Sequence, residues 1–167
     1  MKQIFLDCDG VLADFDSAAL KLFAGQHPRR AREHHGEEEF WRRIRGAGQF
    51  YRDLPLLPDA MQLYEAVKHL HPIILTGCPI GGWAEEQKRA WVAEHFPGVK
   101  IITCRAKEKF MHMKHGGDVL VDDYLRFKEL WERAGGIFVQ HTSAHQSIRQ
   151  LAELGFDVRP AQTESAA

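Results

Sequence analysis

Ile4-Phe5-Leu6-Asp7-Cys8-Asp9-Gly10 passes from three apolar residues directly into two carboxylates and a glycine. A run that is apolar at consecutive positions offers no side to water, as in a strand covered on both faces of a parallel sheet. The pattern returns along the chain. Ile73 to Leu75 ends at Thr76, Val99 to Ile102 at Thr103 and Cys104, Val119 to Val121 at Asp122, and Ile137 to Val139 at Gln140 and His141. Amphipathic helical patterns lie between these runs, over Asp59 to Leu70, Trp83 to Phe96, Tyr124 to Ala134 and Ser143 to Leu154. Gly135-Gly136 and Gly155 follow the last helical residues, as C-terminal caps do. Alternating strands and helices predict an α/β fold, a doubly wound parallel sheet with helices on both faces.

The segment from Asp14 to Leu57 breaks this rhythm, being far longer than an ordinary strand-to-helix loop. It holds two helical patterns, Ser17 to Gly25 and Glu37 to Ile44, joined by a polar tract, His27 to Gly36, that contains Arg29, Arg30 and Arg32. The expectation is a small helical cap inserted after strand one, over residues 14–57, within a single domain spanning 1–167. Its aromatic residues argue against disorder. The polar tail from residue 160 to 167 is expected to fray.

With 167 residues, 44% of them hydrophobic, the chain can bury a core unaided. Twenty-two basic against 23 acidic residues leave a net charge of −1, so no global field draws it to nucleic acid or to an anionic membrane. Early carboxylates and the lack of any long apolar run predict no secretory signal and no membrane span. Three scattered cysteines, Cys8, Cys78 and Cys104, fit a reducing cytoplasm better than a disulfide framework.

Most of the reactive residue types fall at strand ends, where open parallel sheets bind ligands. Asp7, Asp9, Asp122 and Asp123 converging there would repel one another unless a hard cation sat among them, which points to Mg²⁺. Thr76, the Gly77 N–H and a lysine from the loop that carries Lys107, Lys109 and Lys114 are the groups that hold a phosphate. An aspartate beside such a phosphate is a competent nucleophile, and a second one two residues on can move the proton.

Asp7-Cys8-Asp9-Gly10-Val11, Thr76-Gly77, a basic residue, and Gly117-Asp118-Val119-Leu120-Val121-Asp122-Asp123 resemble the four ordered motifs of the haloacid dehalogenase-like superfamily. The likeness is tightest to its 5′(3′)-deoxyribonucleotidase-like branch, and it covers roughly residues 1 to 140. The opening through Asp14 is similar, as is Phe50-Tyr51-Arg52-Asp53-Leu54-Pro55 leading into Pro58-Asp59-Ala60. The resemblance implies Asp7 as nucleophile and Asp9 as general acid/base, with the Asp9 backbone carbonyl on Mg²⁺. Thr76 and Gly77 would bind the phosphoryl group. Lys109 is the preferred third-motif lysine, with Lys107 and Lys114 as alternatives. Asp123 is the preferred direct metal ligand, with Asp122 behind it or acting through water. Dehalogenases of the superfamily lack the second aspartate, so Asp9 argues against carbon–halogen cleavage.

Phe15, Trp41, Phe50 and Tyr51 read either as a substrate pocket or as the insertion's own core. Trp83 and Trp91 read as packing residues. Cys78 and Cys104 are expected to be neighbours on adjacent strands and to be open to oxidation. The expected activity is Mg²⁺-dependent hydrolysis of a small phosphate ester, such as a nucleoside monophosphate, through an aspartyl-phosphate. The alternative is a phosphate-binding or phosphate-receiving signalling protein without turnover. Receivers carry their acidic pair on strand one, whereas the pair here comes late.

Overall fold

β1 (Ile4–Leu6), β2 (Ile73–Gly77), β3 (Ile101–Cys104), β4 (Val119–Asp122) and β5 (Ile137–Gln140) form one parallel sheet in the order β3-β2-β1-β4-β5. The computed structural model describes residues 2–159, so the expected frayed tail lies outside the described residues. Leu6 pairs with Ile74 on one side and Val121 on the other, and Thr76 pairs with Thr103. The carboxyl ends of β1, β2 and β4 therefore emerge side by side. The order reverses between β1 and β4, the switch point at which such sheets bind ligands. Flavodoxin-like sheets, including phosphate-receiving domains, run 2-1-3-4-5 instead. The topology thus argues against the receiver alternative.

Strand alternation sends Ile4 and Leu6 to one face and Phe5 to the other. The first face, with Ile74, Val119 and Val121, packs against α4 (Ala60–Val67), α5 (Trp83–His95) and α7 (Ala144–Glu153) through Leu63, Val67, Trp91, Val92 and Leu151. On the second face Phe5, Leu75 and Leu120 meet Trp131 of α6 (Lys128–Arg133), whose ring lies edge-on to Phe5 at 5.5 Å. α6 is shorter than the helix expected over Tyr124 to Ala134. The Tyr124 N–H donates to Asp122 Oδ1 at 2.9 Å and Tyr124 stays extended, so a single 3₁₀ turn, Leu125–Phe127, precedes the helix.

The insertion has three helices, α1 (Phe15–Leu22), α2 (Pro28–His35) and α3 (Glu37–Gly46), where two were expected. α2 is the supposed polar connector. Pro28 opens it, the His27 side chain accepts from the Arg29 N–H, and Ala31 is fully buried. Arg32 stands in for an apolar residue, its guanidinium 4.7 Å from the Phe40 ring centre and 4.8 Å from that of Trp41. Asp14 caps α1 through the Ser17 N–H. The two chain segments joining insertion to sheet run alongside each other, Asp14 N–H donating to Pro55 O and Leu57 N–H to Leu12 O, both at 2.8 Å. Among the described residues no helix is long and apolar enough to cross a membrane.

Candidate active site

Asp7 continues the β1 ladder past its last residue, its N–H donating to Val121 O at 2.9 Å. The chain then turns tightly, the Cys8 carbonyl accepting from the N–H groups of Leu12 and Ala13 at 2.8 and 2.9 Å. Gly10 sits in that turn with φ +80°, and a Cβ there would collide with the Asp123 carboxyl group. Glycine is needed at this position for both reasons, backbone sign and close approach.

Lys109 comes from a 3₁₀ segment, Ala106–His112, that follows β3. Its Nζ lies 2.8 Å from Asp7 Oδ1 and 2.7 Å from Asp122 Oδ2, and all three residues are buried. Lys107 and Lys114 are exposed. Burial alone would lower the proton affinity of Lys109, but the two facing carboxylates raise it, so the ammonium stays charged.

Asp7, Asp122 and Asp123 each bring a carboxylate oxygen within 4.8 Å of the others. Withdrawal from water, followed by repulsion from Asp7, pushes Asp122 up to about 6 and Asp123 up to about 8. Asp122 already has both oxygens engaged, by Lys109 and by the Tyr124 N–H. Buried Asp7 Oδ1 faces Lys109 but completes no well-angled hydrogen bond. A half-open set of hard oxygens with surplus negative charge is what Mg²⁺ requires, so these residues fit that ion. The Asp9 carboxylate stands outside the trio.

Asp9 instead faces a residue that sequence reasoning passed over. Lys88, on α5 and 1% exposed, donates to Asp9 Oδ2 at 2.6 Å, to Thr76 Oγ1 at 2.9 Å and to Gly77 O at 2.9 Å. The Tyr51 ring centre lies 4.5 Å from its Nζ. Burial works against the charge on Lys88, yet the Asp9 carboxylate holds its proton affinity well above the ordinary range. Burial likewise pushes the Asp9 carboxyl up, and Lys88 opposes that shift. A signal for Lys88 was present in the sequence. Ala84, Trp91 and Val92, four residues before and three and four after, are all buried, so the lysine interrupts an apolar stripe.

Phe15, Trp41, Phe50 and Tyr51 pack on one another. Phe15 lies 5.5 Å from Phe50, 6.1 Å from Tyr51 and 6.5 Å from Trp41, and Phe40 and Phe23 extend the cluster. They form the insertion's core, with Tyr51 reaching Lys88. Cys78 and Cys104 are neighbours, the Cys78 N–H donating to Cys104 O at 2.7 Å. Both are free thiols, and burial pushes each up to about 11, which leaves little reactive thiolate.

The chain resembles known proteins in sequence and in fold. Residues 1–150 match the family described as 5′ nucleotidase, deoxy (Pyrimidine), cytosolic type C protein. Proteins of Bordetella pertussis and Bordetella bronchiseptica, provisionally named 5′(3′)-deoxyribonucleotidases, are each 27% identical over 140 residues, covering 72% of this chain and 73% of theirs. Among solved structures, L-2-haloacid dehalogenase from Xanthobacter autotrophicus superposes with a TM-score of 0.58 at 15% identity, over 92% of this chain and 83% of that one. A haloacid dehalogenase-superfamily hydrolase from Ehrlichia chaffeensis gives 0.56 at 11% identity, over 92% and 98%. At these identities the structural likeness concerns the fold.

Proposed function

Since the chain belongs to the 5′ nucleotidase, deoxy (Pyrimidine), cytosolic type C family, an enzyme family of phosphatase type, we propose that it hydrolyses nucleoside monophosphates or similar small phosphate esters with Mg²⁺, through an aspartyl-phosphate on Asp7. The observation that carries this reading is the placement of Asp7 at the sheet's switch point, 2.8 Å from the Lys109 ammonium, with Asp122 and Asp123 beside it. The free thiols favour a cytoplasmic setting.

An Asp7 oxygen attacks phosphorus, and the bond from phosphorus to the ester oxygen breaks. Asp9 gives its proton to the departing oxygen, releasing the alcohol. Asp9, now ionised, takes a proton from a water that attacks the same phosphorus. The acyl-phosphate bond breaks, inorganic phosphate leaves and Asp7 is restored. Lys109 offsets the negative charge that Asp7 and the phosphoryl oxygens bring together, and Thr76 and Gly77 receive the phosphoryl group. Asp7, Asp123 and the Asp9 carbonyl would hold Mg²⁺ directly, with Asp122 behind them or acting through water, and the ion would supply further positive charge against those oxygens.

The test is hydrolysis of p-nitrophenyl phosphate and of a panel of deoxyribonucleoside and ribonucleoside monophosphates. Turnover that requires Mg²⁺, stops with EDTA and disappears in Asp7→Asn is the expected result. Silence across the whole panel with Mg²⁺ present sinks the reading.

A further inference from the structure

Lys88 is a buried cation on a helix that contributes no other residue to the chemistry described above. An ammonium has three N–H groups and no acceptor. Here all three have partners, Asp9 Oδ2, Thr76 Oγ1 and Gly77 O. That allocation has consequences for both of its side-chain neighbours. With Lys88 donating to Thr76 Oγ1, the Thr76 hydroxyl is an acceptor on that side, and its own hydrogen is free to point elsewhere. With Oδ2 of Asp9 held by Lys88, the other oxygen, Oδ1, is buried and has no partner among the described residues. A lone buried carboxylate oxygen is costly unless something meets it during the working cycle.

We infer that Lys88 is a positioning residue, which ties down Asp9 Oδ2 so that Oδ1 is the oxygen that exchanges the proton with the leaving group and then with water. The inference rests on the phosphatase reading and deepens it. The Tyr51 ring against Nζ closes the remaining side of the ammonium and links its position to the cap. Lys109 cannot substitute, because its N–H groups face Asp7 and Asp122.

General acid assistance matters most when the leaving oxygen is strongly basic, so loss of aim should appear as a steeper dependence on the leaving group. A series of para-substituted phenyl phosphates, from p-nitro to p-methoxy, varies that basicity at nearly constant size. In Lys88→Met, kcat/KM should fall at least about tenfold more for the p-methoxy ester than for the p-nitro ester, measured against the wild type. The comparison is made within one preparation of each variant, so an inactive unfolded fraction cancels from the ratio. Lys88→Gln, carried in parallel, gives the same readout should the methionine variant fail to fold. Asp9→Asn should show the steep dependence already, and adding Lys88→Met to it should steepen it no further. A loss equal across all the esters overturns the inference while leaving the phosphatase reading intact. A wild type silent on every ester and nucleotide removes both.

Discussion

Two buried lysines flank the β1 loop, and they face their carboxylates differently. Lys109 stands between two members of an acidic trio, with Asp7 and Asp122 at 2.8 and 2.7 Å. Lys88 meets one carboxylate, one hydroxyl and one carbonyl. On the Lys109 side the carboxylates outnumber the ammonium, and the geometry accommodates a further cation. On the Lys88 side each N–H has a partner, and the geometry fixes direction. One lysine supplies charge and the other supplies aim. In the mechanism we propose, this difference lets two aspartates only two residues apart take the separate parts of nucleophile and proton carrier.

The contrast can be broken most sharply by kinetics. Lys109→Met should lower kcat/KM by about 10²- to 10³-fold, the order expected when one preorganised electrostatic group is removed from a buried site. That loss should be the same for p-nitro and p-methoxy phenyl phosphate, measured by steady-state rates. A leaving-group dependence in Lys109→Met as steep as that of Lys88→Met would erase the distinction between the two lysines.

Thermal unfolding with and without Mg²⁺ gives the next largest effect. Mg²⁺ at about a hundredfold excess over its Kd should stabilise the wild type by about 2.7 kcal/mol, roughly 5–10 °C in Tm. Asp123→Asn should lose most of that shift and Lys88→Met should keep it. Lys109→Met should be destabilised without metal, with the added ion recovering part of the loss, because a cation can stand against Asp7 and Asp122. Equal Mg²⁺ responses in Asp123→Asn and the wild type would move the metal away from this trio.

Gly10→Ala probes the join between the two sides at smaller scale. The positive φ and the crowding against Asp123 should cost about 1–3 kcal/mol in urea unfolding. The displaced Asp123 should also weaken the Mg²⁺ response while leaving the leaving-group dependence unchanged. An alanine variant as stable and as Mg²⁺-responsive as the wild type would show that the close approach is immaterial.

What could be read in the chain follows the range of the physics involved. Strand ends are local events, so Asp7, Thr76 and Asp122 could be placed at the edge of a parallel sheet from short apolar runs alone. Lys109 could be preferred over Lys107 and Lys114 only because Ala106-Lys107-Glu108-Lys109 resembles the superfamily's approach to its fourth motif. Lys88 could be noticed as a break in an apolar stripe, but its partner could not, since Asp9 lies 79 residues away and the two meet only because α5 brings Lys88 to Thr76 and Gly77 at the end of β2. α2 escaped for a different reason. Pro28-Arg29-Arg30-Ala31-Arg32-Glu33-His34-His35 lacks an apolar stripe; it buries only Pro28 and Ala31, beside a half-buried arginine stacked on the rings of α3. The aromatic set Phe15, Trp41, Phe50 and Tyr51 was visible as composition, but composition cannot tell an open pocket from a packed core.

By itself, then, the sequence determined the α/β class, the identity of the strand-end carboxylates and the chemistry that such carboxylates can perform. These follow from side-chain type and from spacings of a few residues. Tertiary structure alone decided the strand order that argues against a receiver, the closing of the cap aromatics on themselves, and the burial of Lys88 against Asp9. Each of those depends on which distant surfaces shed water together, and no local pattern records that.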